Sequence, residues 1–382
     1  RRVVFWSLIL LYFLSLGHSL VKVTTLFAIS SIVLIVCEFP TGAFADEYGR
    51  KKSVLISFFL LFVSFLGFFL FENFWVLASF FFLQDIAWTF QSGATTAWIV
   101  DVLRIGNHQK KIVTVFSWFY FFEKVGGVLG GIGGFFLAKS GLEYVWLFVA
   151  ILNLGMFVLL WKWMDENAVV RTRAISGIVA RTVVKMKESL MFLFHIKNGR
   201  TRGLGIALFL HTIARSTISI ATPIILVYGI GLSVEGVVGI RSLTNFVALS
   251  GLILCTVFLR RFRMRWSLVI TMCVMGVLSP VFSLSTSILG AVTILIVFHI
   301  LDVVGGTLHD SAVQHSISSS VRASIGSVMG VAWGIGNALG VFFAGVGIES
   351  LGIVWTLTLA GVVFFIAAVV YARALKERTA GA

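Results

Sequence analysis

The chain has few charged residues, and this shortage excludes most soluble proteins. Asp, Glu, Lys and Arg together make up 12% of its 382 residues, about half the usual share in soluble domains. Apolar stretches of about 20 residues recur from end to end, each long enough to cross a hydrocarbon core of roughly 30 Å. Because so few polar side chains cannot cover a water-facing surface, we predict that lipid is the solvent.

The chain also has few cysteines and lacks the short motifs of common enzymes. Cys37, Cys255 and Cys273 all lie inside apolar stretches, so the sequence does not indicate a disulfide framework. An H-E-x-x-H zinc motif, a G-x-S-x-G elbow, a P-loop and a CxxC pair are absent from the sequence. These absences argue against an enzyme and against an ATP-driven pump, although they leave a non-transporting receptor open. We predict no catalytic activity and no bound cofactor.

Acidic residues are scarcer than basic ones, and the basic residues are not scattered. The chain has 30 Lys and Arg against 16 Asp and Glu, a net charge of +14. Nearly all the basic residues fall at the termini or in every second loop between apolar stretches, at 50–52, 104–111, 164–202, 260–265, 322 and 373–378. This is the positive-inside pattern of membrane proteins and does not indicate a nucleic-acid partner. It places both termini in the cytoplasm.

The apolar stretches predict an all-α membrane protein with twelve transmembrane helices. Only helices fit, because lipid cannot satisfy open backbone groups and the stretches show no alternation of the β-barrel kind. The predicted spans are 3–19, 22–45, 53–71, 74–103, 111–138, 142–163, 203–229, 234–259, 266–286, 288–316, 323–347 and 351–374.

A long basic segment divides these spans into six and six. We predict an N-terminal bundle over 1–163, a cytoplasmic linker over 164–202 and a C-terminal bundle over 203–382. The linker is either a plain tether or an amphipathic helix on the anionic leaflet. The fourth span reads L-Q-D-I-A-W from Leu83 and the tenth reads I-L-D-V-V-G from Ile300. This weak internal repeat is typical of transporters built from two related halves.

The loop after the second span carries the most specific motif, G-A-F-A-D-E-Y-G-R-K-K over residues 42–52. It resembles the signature loop of the major facilitator superfamily and has each of its key residues, namely Gly42, Asp46, Gly49, Arg50 and Lys51. The glycines allow close backbone approach, and the basic cluster fixes the cytoplasmic end of the helix.

The resemblance also implies a cytoplasmic latch between the two halves. In the family, the Asp and Arg of the loop pair with an acid that ends the fourth span and a base that opens the eleventh. Those positions are filled here by Asp101 and Arg322. The alternative is that these residues are ordinary helix-end and positive-inside charges.

A glycine-rich segment in the fifth span, G-G-V-L-G-G-I-G-G over 126–134, resembles the antiporter motif of drug-exporting members of the family. The spacing fits only in part and the proline is absent. Close helix packing explains these glycines equally well. The Arg-bearing motif of the fourth span in those members is also missing.

Five charged side chains fall near the middle of predicted spans, namely Asp85, Glu123, Lys124, Arg215 and Asp302. A charge at this depth is costly unless it is paired or hydrated, which makes each a candidate functional residue. The family fold lines its central cavity with spans one, four, seven and ten, so the resemblance implies one shared site for Asp85, Arg215 and Asp302. Tyr120 lies one turn before Glu123 and can share its proton.

Histidines accompany these charges at helical spacing. His211 lies one turn before Arg215, and His299, Asp302 and His309 form a loose stripe along the tenth span. Such histidines can relay protons. Hydrogen bonding between helices and a weak divalent-metal site of His299, Asp302 and His309 are the open alternatives. Arg241, in the eighth span, either extends outward or enters the cavity.

The sequence therefore predicts a multi-pass secondary transporter of the inner or plasma membrane, similar to the drug/proton antiporters of the major facilitator superfamily. We expect a monomer whose partners are the bilayer and a small-molecule substrate, with protons as the coupling ion. The leading hypothesis is export of a small organic or amphipathic molecule by alternating access. The alternative is proton-coupled symport of a nutrient, a lipid-like molecule or a divalent metal.

Overall fold

The structure is a computed structural model that describes residues 2–106, 111–165, 199–247, 251, 263–316 and 322–376. Within these ranges the chain forms helices joined by short turns, and they contain no strand. The predicted linker at 164–202 lies almost entirely outside the described residues. The all-helical fold agrees with the composition, because a chain in lipid must satisfy its backbone groups within each helix.

Six helices precede the linker, and each matches a predicted span to within a few residues. They are α1 (Arg2–Ser15), α2 (Leu20–Tyr48), α3 (Arg50–Leu70), α4 (Phe74–Ile105), α5 (Ile112–Ala138) and α6 (Leu142–Trp163).

Six more helices are described after the linker. They are α7 (Gly199–Ile224), α8 (Val234–Val247), α9 (Met264–Ser283), α10 (Ile288–Gln314), α11 (Arg322–Leu351) and α12 (Ile353–Ala374). Helix α7 contains Pro223 and runs on into a π-helical turn over Ile225–Gly229. The rest of the predicted eighth span, beyond Val247, falls mainly outside the described residues.

Nine of the described helices are long and apolar enough to cross a membrane. The remaining three are α1 and α8, which are short as described, and α4, which carries the polar residues Gln84, Asp85 and Gln91 in its middle. The chain is therefore an integral multi-pass membrane protein. The count of twelve crossings and the cytoplasmic termini stay predictions.

The helices fall into two compact units, which are described separately. One unit combines residues 1–28 with 187–382, and the other comprises 29–186. Helix α1 belongs to the first unit because its Leu11 joins the apolar core formed by α7 to α12. The start of α2 is held there by the Val21 amide, which donates to Glu349 Oε1 on α11 at 2.9 Å. The predicted bundle boundaries at 163 and 203 stay a prediction.

Glycines allow the helices of the first unit to approach closely. An added Cβ at Gly340 on α11 would collide with the Ile213 carbonyl on α7, and one at Gly361 on α12 would lie 2.5 Å from the Gly276 carbonyl on α9. Helices in lipid associate through such close packing, because lipid tails provide no hydrophobic driving force.

Serines and aromatic rings hold the second unit together. Ser53 Oγ and Ser64 Oγ on α3 donate to the carbonyls of Phe90 and Phe80 on α4, at 2.7 and 2.6 Å. Trp146 on α6 is fully buried against the rings of α3. Helix α3 is thereby fixed between α4 and α6.

The close approach of α7 and α11 predicts a specific sensitivity to volume. We expect Gly340→Ala to lower the free energy of unfolding, because overpacking a tight contact costs about 1–3 kcal/mol, more than the roughly 1 kcal/mol gained in helix propensity. Gly330→Ala on the same helix is the matched control, since no described atom lies within 4 Å of its added Cβ. Thermal unfolding of the detergent-solubilised proteins measures both. Equal melting temperatures for the two variants would contradict the packing.

Candidate functional site

An ion pair between α7 and α10 forms the centre of the site. Arg215 Nε donates to Asp302 Oδ2 at 2.9 Å, and the two side chains are 28% and 21% exposed. A hydrogen bond between two ionised groups at this distance is strong, and the low dielectric of a helix bundle strengthens it further. The structure thus brings together two of the charges that the sequence placed at mid-depth.

A histidine occupies the other oxygen of the same carboxylate. His211 is buried one turn before Arg215, and its Nε2 lies 3.5 Å from Asp302 Oδ1. Its ring lies over Gly305 of α10, where an added Cβ would be 3.9 Å from His211 Cε1. Asp302 therefore lies between a guanidinium and an imidazole.

The two histidines of α10 do not share this contact with Asp302. His309 is buried, and its Nδ1 is 2.9 Å from the hydroxyl of Tyr371 on α12. His299 Nδ1 is 2.8 Å from the Leu295 carbonyl of its own helix. In the ranges that the structure describes, no three His, Cys, Asp or Glu side chains converge as metal ligands. The predicted stripe therefore does not act as one group, because His299, Asp302 and His309 each contact a different partner. The described cysteines Cys37 and Cys273 are free thiols.

Asp85 belongs to the second unit. Its carboxylate on α4 is 1% exposed and accepts a hydrogen bond from the Ser30 hydroxyl on α2. The neighbouring Gln84 is also buried. Ser30 was not among the predicted site residues, although a pair of serines in the middle of an apolar helix is a visible signal.

Glu123 does not join either cluster. Its side chain on α5 is partly exposed and makes no hydrogen bond or ion pair with any described residue. The side chain of Tyr120, its predicted proton partner, lies outside the described residues.

The glycine-rich segment of α5 is unevenly packed within the described residues. No described atom would lie within 4 Å of a Cβ added at Gly126, Gly127 or Gly130, whereas Gly131 and Gly134 are buried. Antiporter motif and close helix packing both stay open as explanations of these glycines.

The signature loop gathers three of its predicted partners. Arg50 Nη1 lies 3.2 Å from Asp101 Oδ2 at the end of α4, and Arg50 Nη2 lies 3.8 Å from Asp46 Oδ1. Gly49 separates α2 from α3 with φ +109°, a conformation that other residues rarely adopt. Gly42 has no described atom within 4 Å of an added Cβ, and the close approach expected there stays a prediction.

Two further residues complete the predicted latch. Lys51 is partly exposed in the first turn of α3. Arg322 opens α11 as predicted, and its side chain lies outside the described residues.

Arg241 is the charged residue whose position the sequence left open. Its side chain on α8 is 1% exposed, and Nη2 donates to the Ser219 carbonyl on α7 at 2.9 Å. That carbonyl needs a donor, because the residue four positions later is Pro223, which has no N–H. The intrahelical proline signals a carbonyl that needs a donor, although it does not identify Arg241 as the side chain that supplies it.

Comparison with known proteins gives a family match over most of the chain. The family model of the Major Facilitator Superfamily matches residues 2–333. An uncharacterized MFS-type transporter of Bacillus subtilis (strain 168), YxaM, is 25% identical over 223 residues, which cover 56% of this chain and 53% of that protein. The chain thus aligns with about half the length of this curated relative.

Solved structures are similar over nearly the whole chain. The nucleoside transporter NupG superposes with a TM-score of 0.78 at 16% identity, covering 99% of this chain and 96% of that chain. A POT family transporter in complex with 5-aminolevulinic acid gives a TM-score of 0.77 at 12% identity, covering 98% and 94%. The human organic anion transporter MFSD10 gives 0.61 at 14% identity, covering 96% and 89%. At these identities the likeness concerns the fold alone.

The geometry of the signature loop predicts unequal roles for its two acids. We expect Asp101→Asn to lower the free energy of unfolding by about 1 kcal/mol, since its pair with Arg50 is partly buried. Asp46→Asn is the matched control, because Asp46 is 71% exposed and lies farther from Arg50. Thermal unfolding of both variants checks this. A loss at Asp46 as large as the loss at Asp101 would contradict the observed pairing.

Proposed function

Because the chain belongs to the Major Facilitator Superfamily, whose fold performs secondary transport, we propose that it is a proton-coupled transporter of a small organic molecule. It works by alternating access in the plasma or inner membrane, as a monomer, and uses protons rather than a bound cofactor. The observation that carries this proposal is the placement of Asp302 between Arg215 and His211.

The carboxylate of Asp302 provides a site where a proton changes the contacts. When Asp302 is ionised, it holds the Arg215 guanidinium at 2.9 Å and lies near His211. When it is protonated, the pair loses its Coulomb attraction and Arg215 is released to bind another acceptor. Because an unpaired charge is costly at this depth, proton binding and substrate binding become linked.

The buried Asp85 supplies a second carboxyl group in the other unit. It is almost fully removed from solvent and accepts a hydrogen bond from Ser30. A buried carboxylate is costly when ionised and much less so when protonated. We therefore propose that Asp85 also takes up a proton during the cycle, which lowers the cost of closing the protein around it.

For the signature loop we propose a latch. The partly buried pair of Arg50 and Asp101 ties the first turn of α3 to the end of α4. As in the resemblance from which this role comes, the pair would stabilise the outward-open state together with Arg322.

We propose export as the direction, on the partial resemblance of the glycines at 126–134 to the antiporter motif of drug-exporting members. One observation favours the alternative of symport on the same fold. The Arg-bearing motif that drug-exporting members carry in the fourth span is absent from α4.

Transport in proteoliposomes tests the coupling role of Asp302. A screen of small organic compounds, read with a pH-sensitive dye inside the vesicles, identifies those whose movement carries protons. We expect Asp302→Asn to reduce the gradient-driven accumulation of such a compound by about 100-fold or more. Exchange of the compound at equal pH should persist. The sign of the gradient that drives accumulation distinguishes export from symport.

Asp310→Asn is the matched control for this experiment. Asp310 lies on the same helix and carries the same charge, but its side chain is exposed. We expect this variant to retain gradient-driven accumulation. Undiminished accumulation by the Asp302→Asn variant would rule out the proposed coupling site.

A further inference from the structure

Arg241 carries a buried positive charge that its surroundings do not balance. Its side chain is 1% exposed, and an arginine in a protein stays protonated. Arg215 is paired with Asp302, whereas Arg241 forms no ion pair with any acid among the described residues. The two arginines lie on neighbouring helices, because Arg241 Nη2 bonds the carbonyl of Ser219, one helical turn beyond Arg215 on α7. The fixed charges therefore sum to +1 when Asp302 is ionised.

The neighbouring helices offer no other close acid. Within the described residues, the helices that pack against α8 are α1 and α10, with the turn at the end of α7. Helix α1 has no acid, and α10 has Asp302 and Asp310. Asp310 lies eight residues beyond Asp302, about 12 Å along the helix axis. On α8 itself, Glu235 in the first turn precedes Arg241 by six residues, about 9 Å along the axis.

The hydrogen bond to Ser219 accounts for only part of the guanidinium. Arg241 has five N–H groups, and Nη2 supplies the donor that the Ser219 carbonyl lacks because of Pro223. The buried Nε has no hydrogen-bond partner among the described residues. A neutral carbonyl accepts a hydrogen bond but does not neutralise a charge.

We propose that Arg241, together with Arg215, binds the anionic group of the substrate, so that the transported molecule is an organic anion with a carboxylate or phosphate group. This inference rests on the proposed function and names its substrate class. Both acceptors suit the planar fork of an arginine. A cation would add to the positive charge of the site, and a neutral molecule would leave that charge unbalanced.

The arrangement also links the anion to the proton. Arg215 is the more exposed of the two arginines, and it is held by Asp302 until that carboxyl takes up a proton. A monoanion neutralises the site while Asp302 is ionised, whereas a protonated Asp302 leaves two free guanidinium groups, which suit a dianion. A carboxylate and a phosphate monoester therefore require different protonation states of Asp302.

Matched pairs of acids and neutral analogues test the substrate class. The purified protein is heated in detergent with benzoate or benzamide, glutarate or glutaramide, and glucose 6-phosphate or glucose. We expect at least one acid to raise the melting temperature while its neutral partner does not, and the acid that acts distinguishes carboxylate from phosphate. Equal shifts within every pair, or no shift with any acid, would overturn the proposal.

A pair of variants separates the binding role of Arg241 from its structural role. In Pro223→Ala the helix regains the N–H that bonds the Ser219 carbonyl, so the arginine is no longer needed there. We expect Pro223→Ala combined with Arg241→Gln to fold as Pro223→Ala does, yet to bind the stabilising acid about 30-fold more weakly or worse. Arg241→Lys should keep the preference for the acid. Unchanged acid affinity in the double variant would overturn the inference.

This experiment is independent of the test of coupling. It measures binding in detergent without a pH gradient. If Asp302→Asn leaves proton coupling intact, the proposed coupling site is ruled out, but a requirement of Arg241 for acid binding still supports the anion proposal. Conversely, proton-coupled transport of a neutral compound would support the proposed function and contradict the proposal that the substrate is an anion.

Discussion

The site depends on the pairing of Asp302 with Arg215. Neither charge is tolerable alone in the middle of an apolar helix, so their contact joins α7 to α10 and sets the positions of the groups around it. His211 reaches the second oxygen of the carboxylate because it lies one turn before Arg215 on the same helix. Asp302 is the one acid of this cluster in the described residues, and it is already paired with Arg215. No carboxylate is therefore left there to neutralise the positive charge of Arg241.

The described helices could be predicted from the sequence to within a few residues, because a chain that spans lipid has few alternatives to a helix. Any apolar stretch of sufficient length must be helical, and the charged loops mark where each helix ends. Arg215 and Asp302 could also be identified, since charges at this depth are rare. These predictions follow from the cost of exposing backbone groups and charges to lipid. They need no knowledge of how one helix packs on another.

Side-chain partners could not be predicted, because spacing along a helix defines a face and not a neighbour. His299, Asp302 and His309 share a helix, yet His309 bonds Tyr371, which lies 62 residues away. Asp85 likewise bonds Ser30 from another helix. Gly42 and Gly49 belong to one motif, but only Gly49 needs a glycine for its backbone. Arg241 is intermediate, because Pro223 foretells a carbonyl in need of a donor without saying which side chain supplies it.

The interruption of α7 has a consequence for Arg241. Pro223 removes one backbone hydrogen bond from α7, and the π-helical turn that follows spaces its bonds five residues apart. The backbone pattern of α7 therefore changes just beyond the segment that carries His211 and Arg215. Because Arg241 supplies from α8 the donor that the Ser219 carbonyl lacks, one guanidinium serves both the backbone of α7 and the anion that we propose it binds.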